Sequence, residues 1–257
     1  MLGCIPTRKF VPDITLIRDI AYSINHNHTS VLMYPEASYS FDGTATPLPR
    51  HLGVLLKKLG VPVVMITTYG SFSRDPLYNN LQNRKVKVSA TMECLLSPEE
   101  IASKSVEELD AILDKAFDLD YFRWQSENKV RITEPFRADG LHRILYRCPN
   151  CQTEGAMEGA GETLTCHKCG KTWKLDEYGR LAAVEGPTEF PHIPDWYRWE
   201  REQVRLSIAD GSYHLDTEVS IGDNDILYYC FPKGDIPVAK VRLAGEELFK
   251  NNSIFAA

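Results

Sequence analysis

The sequence predicts an α/β fold, a layered sheet with helices, followed by a small ribbon built on four cysteines and then a β-rich tail. Three observations predict it. Two short apolar runs, Ser30–Tyr34 and Val61–Thr68, flank a stretch with helical periodicity; two Cys-x-x-Cys pairs lie close together; and short strand-like segments recur towards the end of the chain. With 257 residues, 43% of them hydrophobic, the chain can bury a sizeable core.

The elements follow in order. Ile14, Ile17, Ile20, Ala21 and Ile24 mark an amphipathic helix that Asp13 can cap. Ser30–Tyr34, stopped by Pro35, and Val61–Thr68, apolar on both faces, read as buried parallel strands. Between them Leu52, Leu55, Leu56 and Leu59 recur at helical spacing opposite Lys57 and Lys58, with Gly60 placed to end the helix. Strand, helix, strand implies a right-handed crossover. Lys85–Ser89 alternates as a half-exposed strand does, and Ser97-Pro98-Glu99-Glu100 and Ser105-Val106-Glu107-Glu108 are capping boxes opening two helices, the second with Leu109, Ile112, Leu113 and Ala116 on one face. These elements form a first domain over 1–125. A charged connector and the ribbon occupy 126–186. A helix and a β-rich tail, expected to be incomplete, occupy 187–257, with Trp196, Trp199 and Leu206 on one side of the helix after Pro191–Pro194 and strands around His214–Ile221, Ile226–Phe231 and Val238–Leu243.

Charge excludes some functions. Lys and Arg number 29 against 35 Asp and Glu, a net charge of −6, so the average surface repels phosphate backbones. No stretch approaches the ~20 apolar residues of a membrane-spanning helix, and Met1–Lys9 lacks the charged-then-apolar order of a signal peptide. The expected placement is cytoplasmic. Trp196, Tyr197 and Trp199 with Arg198, Arg201 and Arg205 suit packing on the ribbon; the other use for them is peripheral contact with the inner membrane face.

The cysteines carry the strongest local signal. Cys148-Pro149-Asn150-Cys151 and Cys166-His167-Lys168-Cys169 are separated by 14 residues, a spacing at which two turns can present four thiolates to one Zn²⁺. Gly170 suits the left-handed backbone such a turn needs, and Leu164 and Trp173 flank the second pair as strand residues. A Cys4 site has no open position, so the expected role is structural. Between Leu141 and Leu181 six basic residues face five acidic ones, which leaves no basic stripe for nucleic acid. Lone Cys94 and Cys230 are expected to be core thiols, and His26-Asn27-His28 a solvated loop.

Tyr34-Pro35-Glu36-Ala37-Ser38-Tyr39-Ser40-Phe41-Asp42-Gly43 follows the end of the first apolar run, where open α/β sheets bind ligands. Glu36, Ser38, Ser40 and Asp42 could orient a polyol or amine by hydrogen bonds; the same residues also suit a plain surface turn.

At this stretch the sequence resembles the lysophosphatidate and glycerol-phosphate (PlsC-like) acyltransferases. Their third motif block reads Phe-Pro-Glu-Gly-Thr-Arg-Ser, and Tyr34–Ser40 keeps the Pro-Glu pair and the final serine. Gly3–Lys9 is similar to the second block, whose cation, here Arg8 or Lys9, contacts substrate phosphate, and Leu59-Gly60-Val61-Pro62-Val63-Val64 is similar to the fourth. Order and spacing match over about residues 1 to 90, and the ribbon and Trp-rich helix that follow resemble a bacterial subgroup. The resemblance implies transfer of an acyl group from acyl-CoA or acyl-carrier protein to a lysophospholipid or related hydroxyl acceptor in phospholipid synthesis. It implies Arg8, Lys9, Glu36, Ser38 and Ser40 as substrate-binding residues. The family's base is a His-x4-Asp motif upstream of the second block, and none of the 7 histidines here has an aspartate five residues on. The expectation is therefore an N-terminally truncated member with little or no turnover of its own; the alternative is a non-catalytic lipid- or partner-binding module with a structural zinc ribbon. The block's arginine is Tyr39 and its glycine Ala37, and a tyrosine cannot supply the charge that recognises a phosphate.

Overall fold

The computed structural model describes residues 4–5, 13–36, 39–219 and 239–244. The chain divides into two compact units, 30–198 and 1–29 with 199–257. In the smaller unit, α1 (Ile14–Asn25) starts where Asp13 Oδ1 accepts the Leu16 N–H at 3.1 Å, and it buries Ile20. Two late strands pair antiparallel across 214–219 and 239–244, two of the three expected; Ile226–Phe231 and Cys230 lie outside the described residues.

In the larger unit, α2 (Leu52–Leu59) ends at Gly60 in the left-handed conformation, as the leucine spacing predicts. It lies against the later helix over Val106–Phe117, and Gly53 permits this: its N–H donates to Asp110 Oδ1 at 2.6 Å, and a Cβ there would stand 2.6 Å from the Val106 carbonyl oxygen. β1 (Val63–Tyr69), a short helix α3 (Ser71–Arg74) and β2 (Ser89–Leu96) follow, then α4 (Pro98–Ser103), α5 (Val106–Phe117) and α6 (Tyr121–Glu127). Both capping boxes form, Ser97 with Glu100 and Ser105 with Glu108. Leu96, Ile101 and Leu109 make a core that Leu56, Val63, Leu95 and Ile112 surround.

Several expectations change. Ser30–Tyr34 is not a buried strand: it joins no ladder, and Leu32, Met33 and Tyr34 are exposed. β1 is accordingly not part of a parallel sheet; it pairs antiparallel with β2, because the chain returns through 70–88 and offers β2 as the nearer partner. Lys85–Ser89 is not a strand, since β2 begins at Ser89, while Val86 packs inward beside Gly70. Cys94 is exposed, because it faces outward with Val64, opposite it in the ladder.

The segment 127–146 is core, not an open connector. Ile132, Ala138, Leu141, Ile144 and Leu145 are all buried. Arg137, also buried, donates from Nε to the Leu175 carbonyl at 2.9 Å and pairs through Nη1 with Glu162 at 2.8 Å. Buried Arg84 donates from Nη2 to the Tyr78 hydroxyl, Asn79 Oδ1 and the Arg137 carbonyl at 2.9, 3.0 and 2.9 Å. Each guanidinium shares its charge among several acceptors, which is how a buried cation is tolerated.

The ribbon is a four-stranded antiparallel meander, β3 (Met157–Ala160), β4 (Thr163–Cys166), β5 (Thr172–Leu175) and β6 (Leu181–Ala183), with Leu164 opposite Trp173. After it, α7 (Ile193–Ala209) begins with Trp196 buried, its ring edge-on to Trp173 at 4.9 Å and its Nε1–H donating to the Arg147 carbonyl at 3.0 Å. Packing on the ribbon is thus what this tryptophan does. Two strands close the described chain, β7 (His214–Val219) and β8 (Ala239–Ala244).

Gly140 and Gly60 both have positive φ, but a Cβ at Gly140 would lie 2.2 Å from the Tyr78 carbonyl oxygen, whereas nothing lies within 4 Å of one at Gly60. Gly60→Ala should therefore cost about 1 kcal/mol and Gly140→Ala at least twice that, roughly 2 to 4 kcal/mol, read from urea unfolding midpoints. Equal costs at the two positions would refute this account of the 77–84 and 134–141 junction.

Candidate functional site

Two equivalent turns build the cysteine cluster. In the first, the Gln152 N–H donates to the Cys148 carbonyl at 2.8 Å; in the second, the Gly170 N–H donates to the Cys166 carbonyl, also at 2.8 Å. The residue after each pair is left-handed, Gln152 at φ 62° and Gly170 at φ 77°. Glycine at 170 signals this in the sequence. Gln152 gives no such signal.

The four sulfurs lie within 4.8 Å of one another, Cys148 Sγ to Cys169 Sγ at 3.8 Å and Cys151 Sγ to Cys166 Sγ at 3.7 Å. Both distances are far beyond the ~2.05 Å of a disulfide. A tetrahedral ion with metal–sulfur bonds of about 2.3 Å places its sulfurs about 3.8 Å apart, so the donor set fits a metal ion. Burial pushes the Cys148 and Cys166 thiols up. Hydrogen bonds from the Thr153 hydroxyl and N–H hold Cys151 down to about 6, and at Cys169 the N–H of Lys171 and the Asn150 amide outweigh the burial that opposes them. A cation at the centre would favour all four thiolates.

The second candidate is the loop after Pro35. Glu36 Oε1 accepts the Thr46 N–H at 2.7 Å and the Thr46 hydroxyl at 3.1 Å; Ser40 Oγ donates to the Thr44 carbonyl at 2.7 Å; Asp42 Oδ1 accepts the Thr44 N–H at 3.1 Å. Glu36, Ser40 and Asp42 are therefore brought together through 44–46. Arg8, Lys9 and Ser38 lie outside the described residues. The loop docks on the start of α6, where the Tyr121 N–H donates to the Gly43 carbonyl at 2.8 Å and the Ala45 N–H to the Leu119 carbonyl at 3.1 Å. Beside Thr46 runs a groove of about 460 Å³ lined by Leu48, Asp114, Lys115, Phe117 and Asp118. Two carboxylates against one ammonium do not make a phosphate site.

Sequence reasoning missed one pair. His192 Nε2 meets Asp120 Oδ2 at 2.7 Å, with side chains 6% and 15% exposed, across 72 residues of chain that give no local sign of it. It fastens the N-cap of α6 to the start of α7. His192 Nδ1 is buried and makes no hydrogen bond, so the pair is enclosed and works as a fastening.

No family model, curated protein or solved structure matches the chain. Among the described residues no helix is long and apolar enough to cross a membrane.

Asp120 supplies a pH dependence. Burial raises its carboxyl, but hydrogen bonds from His192 and the Arg123 N–H outweigh that and leave it below the ordinary value. A carboxyl depressed by folding contributes stability above its unfolded pKa near 4, and that contribution is lost as pH falls through the folded value. Asp120→Asn should lower stability at pH 7 and flatten the loss on acidification below about pH 4. Parallel wild-type and variant curves of unfolding free energy against pH would refute it.

Proposed function

We propose that this chain serves acyl transfer from acyl-CoA or acyl-carrier protein to a hydroxyl acceptor of the lysophospholipid kind, its loop at Glu36 holding the acceptor and its four cysteines holding one structural Zn²⁺. The single observation that supports the acceptor role is Glu36: a carboxylate in the Pro-Glu position of the resembling motif, fixed by two hydrogen bonds from Thr46 beside an open groove. Glu36 is placed to accept a hydrogen bond from a substrate hydroxyl, and Ser40 with Asp42 shapes the loop around it. The groove's acidic lining and Tyr39 in place of an arginine favour a polyol or amine head over a bare phosphate. No residue of this sequence is assigned the base, because no His-x4-Asp is present. That same observation favours the second reading, a non-catalytic module that binds lipid or a partner.

Zinc is supported over other metals by an all-sulfur tetrahedral donor set, and a structural role by the lack of an open position. Cys148, Cys151, Cys166 and Cys169 would supply all four ligands.

Two measurements test these readings. Elemental analysis of the purified chain should find about one zinc per chain, and Cys166→Ser or chelation should lower the thermal midpoint by about 10 °C or more. A metal-free chain of unchanged stability would remove the zinc reading. Acyl transfer to a panel of lysophospholipid and phosphate-free acceptors should appear in a form extended upstream through a His-x4-Asp and fall about tenfold or more in Glu36→Gln. Transfer by neither form would leave the binding module.

A further inference from the structure

Between α3 and β2 the chain makes a turn that is fixed at its base and apolar at its tip. The base is the buried set Tyr78, Asn79 and Arg84, where the Asn79 amide donates to the carbonyls of Phe136 and Asp139 at 2.9 and 2.8 Å. At the tip a single turn of 3-10 helix, Leu77–Asn79, is followed by two left-handed residues, Asn80 at φ 54° and Leu81 at φ 55°. Asparagine enters that region readily; leucine does so at a cost. Backbone bonds hold the turn closed all the same, the Leu81 N–H donating to the Pro76 carbonyl at 3.3 Å and the Gln82 N–H to the Asn79 carbonyl at 3.1 Å. The strained residue packs little in return, since Leu81 is 60% exposed and Leu77 36%. A large apolar side chain kept in water by an unfavourable backbone adds nothing to the fold, so its use lies outside the fold.

Charge indicates what the tip meets. Exposed cations flank the turn: Arg74, whose carbonyl accepts the Arg84 N–H at 2.7 Å; Arg143, whose Nη1 donates to Asn80 Oδ1; and Lys85 and Lys87, which lead away from the base. The acids beside them are Asp75, which is exposed, and Glu134 and Asp139, both half-buried and accepting the N–H groups of Lys85 and Gly161. On a chain of net charge −6 this turn is thus locally positive, which complements a negatively charged surface. We propose that the turn at 77–82 docks the chain on an anionic lipid surface, with Leu77 and Leu81 entering the headgroup boundary while Arg74, Lys85, Lys87 and Arg143 lie among the lipid phosphates. A bilayer demands no complementary pocket, which suits two leucines on an exposed turn; a protein of the same charge would have to supply one. The buried base holds the tip ready, so docking orders nothing further. The inference goes beyond the acyl-transfer reading and does not rest on it.

Flotation of the full chain with phosphatidylcholine vesicles, plain or with about one third phosphatidylglycerol, tests this. Expected is binding to the anionic vesicles alone, weakened by salt. Leu81→Gly removes the apolar tip and relieves the left-handed strain, so it should bind about tenfold more weakly while its thermal midpoint stays level or rises, which separates lost docking from lost folding. Lys85→Glu combined with Lys87→Glu should weaken binding about a hundredfold. No binding to anionic vesicles would overturn the inference, as would equal binding by the native chain and Leu81→Gly, or equal binding to neutral vesicles. Capture by soluble polyglutamate without vesicle binding would replace the lipid surface with an acidic protein.

Discussion

Four sulfurs gathered within 4.8 Å are the constraint on which the ribbon depends. Four thiolates at that distance would repel one another. Four sulfurs so placed could hold a metal ion, which would account for both the distance and the charge. The two turns fix the ends of the β3–β4 hairpin and the start of β5, which places Leu164 and Trp173 opposite each other in the interior of a sheet whose strands are only three or four residues long. Strands so short have little independent stability.

The rest of the larger unit is built onto that ribbon. Arg137 reaches β5 through Leu175, Gln125 of α6 donates to the Glu177 carbonyl, and Trp196 of α7 packs on Trp173. Asn79 and Arg84 bind the carbonyls of 136–139, so the residues between β1 and β2 are fastened to the same block. The polar contacts among these are buried or half-buried, and breaking one partner strands the other. A metal ion held by the four cysteines would therefore support α6 and the start of α7 as well as the cysteine turns.

What was legible in the sequence was local. Asp13, Ser97 and Ser105 announce their helices because a cap bonds three residues away, and Gly60 and Gly170 announce left-handed turns because only glycine enters them freely. The cysteine spacing announces the four-sulfur cluster for the same reason. Long-range pairing was not legible: His192 and Asp120, or Arg84 and the 137 carbonyl, lie more than fifty residues apart with no periodic signal between them. Segment 127–146 read as a connector because its apolar residues follow neither a helical nor a strand period; they are buried in turns held by Arg137 and Asn79. At the acceptor loop, the Pro-Glu pair was visible in the sequence, while Thr46, which holds Glu36, was not, because the contact closes across ten residues of irregular chain.

Thr46 also bears on what Glu36 can do. Two hydrogen bonds from Thr46 to one oxygen fix the orientation of the Glu36 carboxylate and occupy part of its accepting capacity. On the acyl-transfer reading proposed above, Glu36 so held would align an acceptor hydroxyl, and proton removal would fall to a His-x4-Asp pair, which this sequence does not contain. The same logic explains why Asp120, tied to His192, is no substitute for that dyad. Its histidine has one nitrogen on the carboxylate and the other enclosed without a partner, so no substrate hydroxyl can reach it.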